Sequence, residues 1–172
     1  MLTTARLSLR PITAGDADAM MNVNADPEVM RYLTGGRAPS RDDVNATIAR
    51  SIGNRWVATL RHSDEVIGWF GIAANAPGER ELGYRLARAC WGQGLATEGA
   101  RCVIDHAFTT TDVARVWAQT MFVNNASRRV MEKCGLRFVR TFLVDWPDPI
   151  DGSEHGDVEY ELTRADWLAM RR

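Results

Sequence analysis

Apolar and polar residues alternate along Arg6–Ile12, Leu7 and Leu9 against Ser8 and Arg10, up to Pro11. A period of two predicts a strand, and the proline, which cannot donate to a ladder, predicts that this first strand lies at a sheet edge. From Thr13 the period becomes helical: Ala17, Met20 and Met21 form one stripe that runs to Asn24. Asp26-Pro27 supplies the cap and first-position proline of a second helix through Leu33. Gly35-Gly36 breaks it, and Ser40 with Asp43 opens a third helix to about Ile52. Three strand-like runs follow, Arg55–Arg61, Glu65–Ala73 and Arg80–Leu86, separated by the turn-rich His62–Asp64 and Asn75–Gly78. Links that short predict an antiparallel meander. The remainder reads as helix Leu95–Phe108, strand Arg115–Phe122, helix Asn125–Cys134 stopped by Gly135, strands Phe138–Trp146 and Asp157–Thr163, and helix Arg164–Met170. This order predicts an α/β (α+β) fold, one sheet with helices on both faces.

At 172 residues the chain is expected to form a single domain, residues 1–172, whose core needs no staples. A net charge of −1 argues against nucleic-acid binding by bulk charge, and no apolar run approaches the length of a membrane span. The opening MLTTARLSLRPIT has no apolar stretch of a secretory leader, so a cytoplasmic location is expected. Cys90, Cys102 and Cys134 are odd in number and widely spaced. They fit neither a disulfide framework nor a zinc ligand set, and no metal is expected.

Chemistry concentrates in Glu81–Phe108, where a strand passes through Trp91-Gly92-Gln93-Gly94-Leu95-Ala96 straight into a helix. The first N–H groups of a helix lack partners and carry the positive end of its dipole. Gly92, Gly94 and Ala96 leave room for a diphosphate to approach the backbone. The spacing is not GxGxxG, and the loop has no P-loop lysine, so the usual dinucleotide and nucleoside-triphosphate readings are weak. A tight connection with no ligand would use the same glycines.

The loop resembles the [Q/R]-x-x-G-x-[G/A] acetyl-CoA signature of the GNAT N-acetyltransferases. LGYRLARACWGQGLATEGA, then NNASRRVMEKCGLRFV and DVEYELTRADW, are similar to the RimJ/RimL-like (ribosomal-protein-alanine N-acetyltransferase-type) branch, in the expected order from about Leu7 to Trp167. The resemblance implies a GNAT fold, a mixed, mostly antiparallel sheet of about seven strands with a splay between the fourth and fifth. It implies an acetyl-CoA-dependent N-acetyltransferase whose acceptor, a protein N-terminal α-amine or a small-molecule amine, attacks the thioester directly. By matching position, the backbone around Tyr84, Arg85 and Leu86 would pair with the pantetheine arm as an added strand. Gln93, Gly94, Leu95, Ala96 and Thr97 would hold the pyrophosphate. Asn124 would bind the arm, Ser127 would lie near the thioester sulfur, and Glu81 is the leading base. A homodimer is a family-level expectation. Two departures stand out: Trp91 occupies the position of Gln or Arg, and Met131 that of the tyrosine acid of many GNATs. Methionine has no proton to give. RimJ/RimL-like enzymes are similar in lacking that tyrosine.

The residues leave alternatives open. Glu81 also reads as a surface carboxylate beside Arg80, Ser127 as an ordinary first-turn residue, and Asn124 or Asn125 as that helix's cap. Glu98 reads as a carboxylate placed by the helix dipole. Tyr160 is a core-edge tyrosine or an ionisable hydroxyl, His155 a solvated loop residue or a proton relay. The acidic connection 145–157 attracts a cationic amine or is simply solvated. Trp69, Phe70, Trp146 and the loop 33–39 line a pocket or belong to the core. A function of another class, a catalytically weak acyl-CoA-binding regulatory module, is admitted by Trp91 and the missing tyrosine and opposed by Glu81 and Ser127.

Overall fold

The computed structural model describes residues 1–146 and 148–171; Pro147, inside the acidic connection, and Arg172, at the end of the expected domain, lie outside them. In chain order the elements are β1 (Leu2–Thr3), β2 (Leu7–Pro11), α1 (Ala17–Asn24), α2 (Pro27–Thr34), α3 (Arg41–Ser51), β3 (Arg55–Leu60), β4 (Val66–Ala76) and β5 (Glu79–Leu86). They continue with α4 (Leu95–Thr110), β6 (Arg115–Met121), α5 (Asn125–Lys133), β7 (Arg137–Phe142), β8 (Asp157–Thr163) and α6 (Arg164–Ala169).

The helices begin where their caps dictate. Asp26 accepts from the Glu28 N–H at 2.9 Å, and the Ser40 hydroxyl accepts from the Asp43 N–H at 3.2 Å while the Asp43 carboxylate reaches back to the Ser40 N–H. Before α1, the Asp16 carboxylate accepts from the Thr13 N–H and hydroxyl and pairs with Arg10, which pins the exit of β2 to the helix.

Eight strands form one mixed sheet in the order β1-β2-β3-β4-β5-β6-β8-β7. Every neighbouring pair is antiparallel except β5 and β6. Three expectations are corrected. The short strand Leu2–Thr3 adds to the expected seven, so Leu7–Pro11 is the second strand and not the edge. The strand expected over Phe138–Trp146 ends at Phe142, which pairs with Asp157, the first residue of β8, leaving Leu143 79 % exposed with no further ladder. β4 runs on to Ala76 through an irregularity at Ala74, into the stretch expected to be a turn.

The single parallel pair positions everything that follows. β5 and β6 pair only at Glu79↔Arg115, Arg80↔Val116 and Glu81↔Trp117. Beyond Glu81, β5 keeps its antiparallel ladder with β4 as far as Leu86 and has no β6 partner among the described residues. The splay expected between the fourth and fifth strands is therefore present, with Glu81 at its apex.

Helices cover both faces. α4 and α5 bury Ala100, Val103, Ile104 and Met131 against Leu82, Leu86 and Phe70 on one face. α1 and α3 bury Ala17, Met20, Val44 and Ile48 against Val57 on the other. α4 lies very close to β4: a Cβ at Gly99 would meet the Phe70 ring at 2.2 Å, so only glycine allows that approach. Fully burying a side chain such as Phe70 contributes roughly 1.5–3 kcal/mol. No helix among the described residues is long and apolar enough to cross a membrane.

Candidate active site

The open edge of β5 and the start of α4 form a continuous polar track. A Cβ at Gly68 on β4 would fall 2.0 Å from the Arg85 carbonyl oxygen, so that carbonyl points toward β4. Backbone groups alternate along a strand, so Leu82, Tyr84 and Leu86 turn theirs to the splay. Arg85 was expected to offer its backbone there; what it offers is its side chain, on the opposite face of the sheet from Tyr84. Trp91, in the place of a family Gln or Arg, donates its indole N–H to the Leu86 carbonyl at 2.9 Å and caps the far end of that edge.

The loop then enters α4 through two left-handed glycines, Gly92 at φ 73° and Gly94 at φ 78°. A side chain with a Cβ adopts that conformation only at a cost. Gly94 provides no side-chain cap, whereas Asp26, Ser40, Asn124 and Thr163 each cap their helices with a side-chain oxygen. The first N–H groups of α4, those of Leu95, Ala96 and Thr97, are thus directed outward, an arrangement that fits a diphosphate. Leu95 itself is buried and anchors the turn, and Gln93 lends its carbonyl to Arg6 at 2.9 Å. Beside the loop opens a cavity of about 650 Å³ bordered by Gly94, Thr97, Arg6, Arg101 and Lys133. Glu98 faces it, but its carboxylate is committed to the Thr4 hydroxyl, the Arg6 N–H and the Arg6 guanidinium. Burial opposes its ionisation, and these donors outweigh burial and hold it below the usual range.

Across the splay, Asn124 caps α5: its Oδ1 accepts from the Ser127 N–H at 3.1 Å and its amide donates to Thr120 at 3.0 Å. Its side chain is occupied by the fold. The Ser127 hydroxyl is 2.9 Å from the Tyr84 phenol, which also donates to the Ser127 carbonyl at 3.0 Å. This contact bridges β5 and α5. If the phenol proton goes to the carbonyl, the serine donates to the phenol. If it goes to the serine oxygen, the serine proton is free for a third group. Burial pushes the Tyr84 phenol far above its ordinary range, so it stays a proton carrier. The sequence assigned Tyr84 a backbone role only; its hydroxyl was missed because its partner is 43 residues away.

Glu81 is half-buried at the apex, with Oε2 accepting from the Asn75 amide at 2.5 Å. It and Ser127 approach the splay from opposite faces of the sheet. Tyr160 and Cys134 are structural. Tyr160 is buried, accepts from Arg128 and donates to Glu132. The Cys134 thiol is buried, with its pKa pushed up by burial to about 12. Met131, at the position of the missing tyrosine, is core.

A mixed sheet that parts after one parallel pair, leading into an uncapped glycine turn, is an arrangement that can seat an acyl-CoA. A sequence model of the acetyltransferase (GNAT) domain family matches residues 6–137, and the chain belongs to that family. It is similar to the FsC-acetyl coenzyme A-N(2)-transacetylase of Aspergillus fumigatus, 35 % identical over 189 residues, 99 % of this chain and 79 % of that protein. Among solved structures, a GNAT-family acetyltransferase from Bacillus anthracis superposes with a TM-score of 0.82 at 21 % identity, covering 95 % of this chain and 98 % of that one. RimL, the ribosomal L7/L12 alpha-N-protein acetyltransferase, in complex with coenzyme A, superposes at 0.78 with 16 % identity, over 93 % and 95 %. The chain is therefore an acetyl-CoA-dependent N-acetyltransferase in the general sense.

Proposed function

We propose that the protein transfers an acetyl group from acetyl-CoA to a primary amine at the apex of the splay, with Glu81 as base and Ser127 as proton donor. The observation that carries this is the loss of β6 pairing immediately after Glu81. From there β5 presents an open main-chain edge as far as Leu86, whose carbonyl Trp91 caps, before the chain reaches the uncapped turn of α4.

Bound acetyl-CoA supplies an acetyl group activated as a thioester. The rest falls to the chain. The backbone groups of Tyr84 and the N–H of Leu86 hold the pantetheine arm as a strand would. The N–H groups of Gly94 to Thr97 neutralise the pyrophosphate, with Arg101 and Lys133 nearby. Glu81 removes a proton from the acceptor nitrogen, because only the neutral amine is nucleophilic; an α-amine, at a pKa of about 8, needs less help than a lysine amine near 10.4. Ser127, held by Tyr84, presents its hydroxyl to the sulfur that leaves. No tyrosine on α5 is needed for that proton.

The test is release of free coenzyme A with a panel of peptides, polyamines and amino compounds, alongside a thermal shift with acetyl-CoA. Ligand at 100 times its Kd stabilises by about 2.7 kcal/mol, a rise of several degrees. Absence of a shift at millimolar acetyl-CoA would overturn the cofactor assignment. A shift without release for any amine would leave a binding module.

A further inference from the structure

The face of the sheet that carries Glu81 holds two arginines with no ion-pair partner among the described residues. Side chains alternate along β5, so Glu81, Gly83 and Arg85 share this face. Pairing extends it: Ala73 lies beside Glu81, Gly71 beside Gly83 with Arg55 beyond, and Trp69 beside Arg85. The Trp69 ring lies flat over the two glycines; a Cβ at Gly83 would be 3.3 Å from it and at Gly71 3.6 Å. On this aromatic floor the Arg55 guanidinium stands 3.7 Å from the ring centroid and that of Arg85 5.6 Å.

Half-buried arginines of this fold are satisfied in two ways: Arg128 and Arg164 donate to neutral oxygens, the Tyr160 hydroxyl and main-chain carbonyls, and others meet carboxylates. Arg115 is paired with Glu79, Glu159 and Glu161, and Arg10 with Asp16. Arg55 and Arg85 have no carboxylate partner among the described residues. Arg85 donates to the buried Asn24 Oδ1 at 2.6 Å, and its Nε is out of solvent with no partner at all. Burial lowers the pKa of each to about 10; for Arg55 the neighbouring Arg85 and Arg50 contribute further. A cation–π contact offsets only part of the cost of holding a guanidinium out of water, and a second like charge adds to it. Two guanidiniums on one ring, one of them with a buried Nε that nothing accepts from, suit an anion.

We propose that Arg55 and Arg85 bind a carboxylate on the acceptor, so that the substrate is an amine that is also an acid, of the amino-acid class. The inference rests on the acetyl transfer proposed above. The Nε edge of Arg85 is the side-on fork that suits a planar, two-oxygen anion. Arg55 lies one pleat from Glu81, about 7 Å along the strand, and two strands from it, about 10 Å across the sheet. The arginine side chain, laid over Trp69, covers part of that gap, and a short carbon chain between amine and acid, with its methylenes on Trp69, spans the rest.

The experiment compares matched pairs by coenzyme A release: γ-aminobutyrate against its amide, and L-lysine against cadaverine, with phosphoethanolamine as a third arm. The acid of each pair is expected to show a kcat/KM about tenfold to a hundredfold higher, as for a charge-assisted hydrogen-bonded pair. Arg55→Met and Arg85→Met should bring the ratio close to one. Arg55→Met should melt no lower than the parent, because a desolvated charge without a carboxylate has gone, and a purely structural Arg55 would lower the melting temperature; Arg85→Met also unpairs the buried Asn24 Oδ1 and is read by its selectivity alone. In parallel, γ-aminobutyrate in the presence of coenzyme A should raise the melting temperature of the parent and not of the variants. Equal use of both members of each pair, a ratio that survives in both variants, or preference for phosphoethanolamine over every carboxylate overturns the proposal. If no amine is acetylated, the transfer reading fails, and the melting arm still decides whether the carboxylate site exists.

Discussion

Tyr84→Phe isolates the contact across the splay. The substitution keeps the ring, which packs 6.3 Å from Phe70 in the core, and removes only the hydroxyl. Two hydrogen bonds disappear, those to the Ser127 carbonyl and to its Oγ. Leaving a buried polar group unpaired costs about 1–3 kcal/mol, and Ser127 is only half-buried, so water recovers part. A net loss near 1.5 kcal/mol lowers the melting temperature of a domain this size by about 3–6 °C. The catalytic effect is separate. Ser127 would lose the group that fixes its rotamer, and kcat should fall about tenfold, less than the 100-fold or more that removal of a general acid itself brings. The affinity for acetyl-CoA should be little altered, since the arm is held by main chain.

The assay is a double-mutant cycle in kcat with Tyr84→Phe, Ser127→Ala and both together, with melting temperatures measured alongside. Residues that act as a unit are non-additive, so the double variant should be no slower than Ser127→Ala alone. Strictly additive losses, or a kcat unchanged in Tyr84→Phe despite the lower melting temperature, would refute the claim that the phenol works through the serine.

Three further outcomes are expected. Glu81→Gln should reduce kcat/KM at neutral pH by about 100-fold and recover with rising pH as the free-amine fraction of the acceptor grows; an equal loss at every pH would make Glu81 structural. Gly94→Val forces a β-branched residue to a φ of 78° at the mouth of α4, and calorimetric titration should show at least a tenfold weaker acetyl-CoA Kd; an unchanged Kd would remove this turn from cofactor binding. Burial raises the pKa of Asp157, whose Oδ1 has no partner, so its ionised form weakens the fold at any pH above the ordinary aspartate value near 4. Asp157→Asn should therefore melt a few degrees higher at pH 7, with the advantage vanishing below about pH 4, and a lower melting temperature at pH 7 would contradict the sign.

What the sequence disclosed and what it withheld follow from the range of the forces involved. Caps and periodicity are local, so Asp26-Pro27, Ser40 with Asp43, and the alternation of Leu7 and Leu9 located helices and strands within a few residues. Leu2–Thr3 is too short to show a period, and it becomes a strand only because Leu9 and Ser8 accept it as a partner. The apolar run after Phe142 looks like more strand, yet β8 begins at Asp157 and no ladder remains for it. The glycine turn was legible because an uncapped helix start is a local property. The carboxylate floor was not. An arginine opening a strand, as Arg55 does, reads as solvated, and a Gly-x-Arg run as an ordinary edge. Only the register that sets Gly71 beside Gly83 lays Trp69 flat and brings two arginines 30 residues apart onto one ring. Where the pairing of strands creates a site, composition is silent, and the sign to look for is a charge that the fold has buried and left without an opposite.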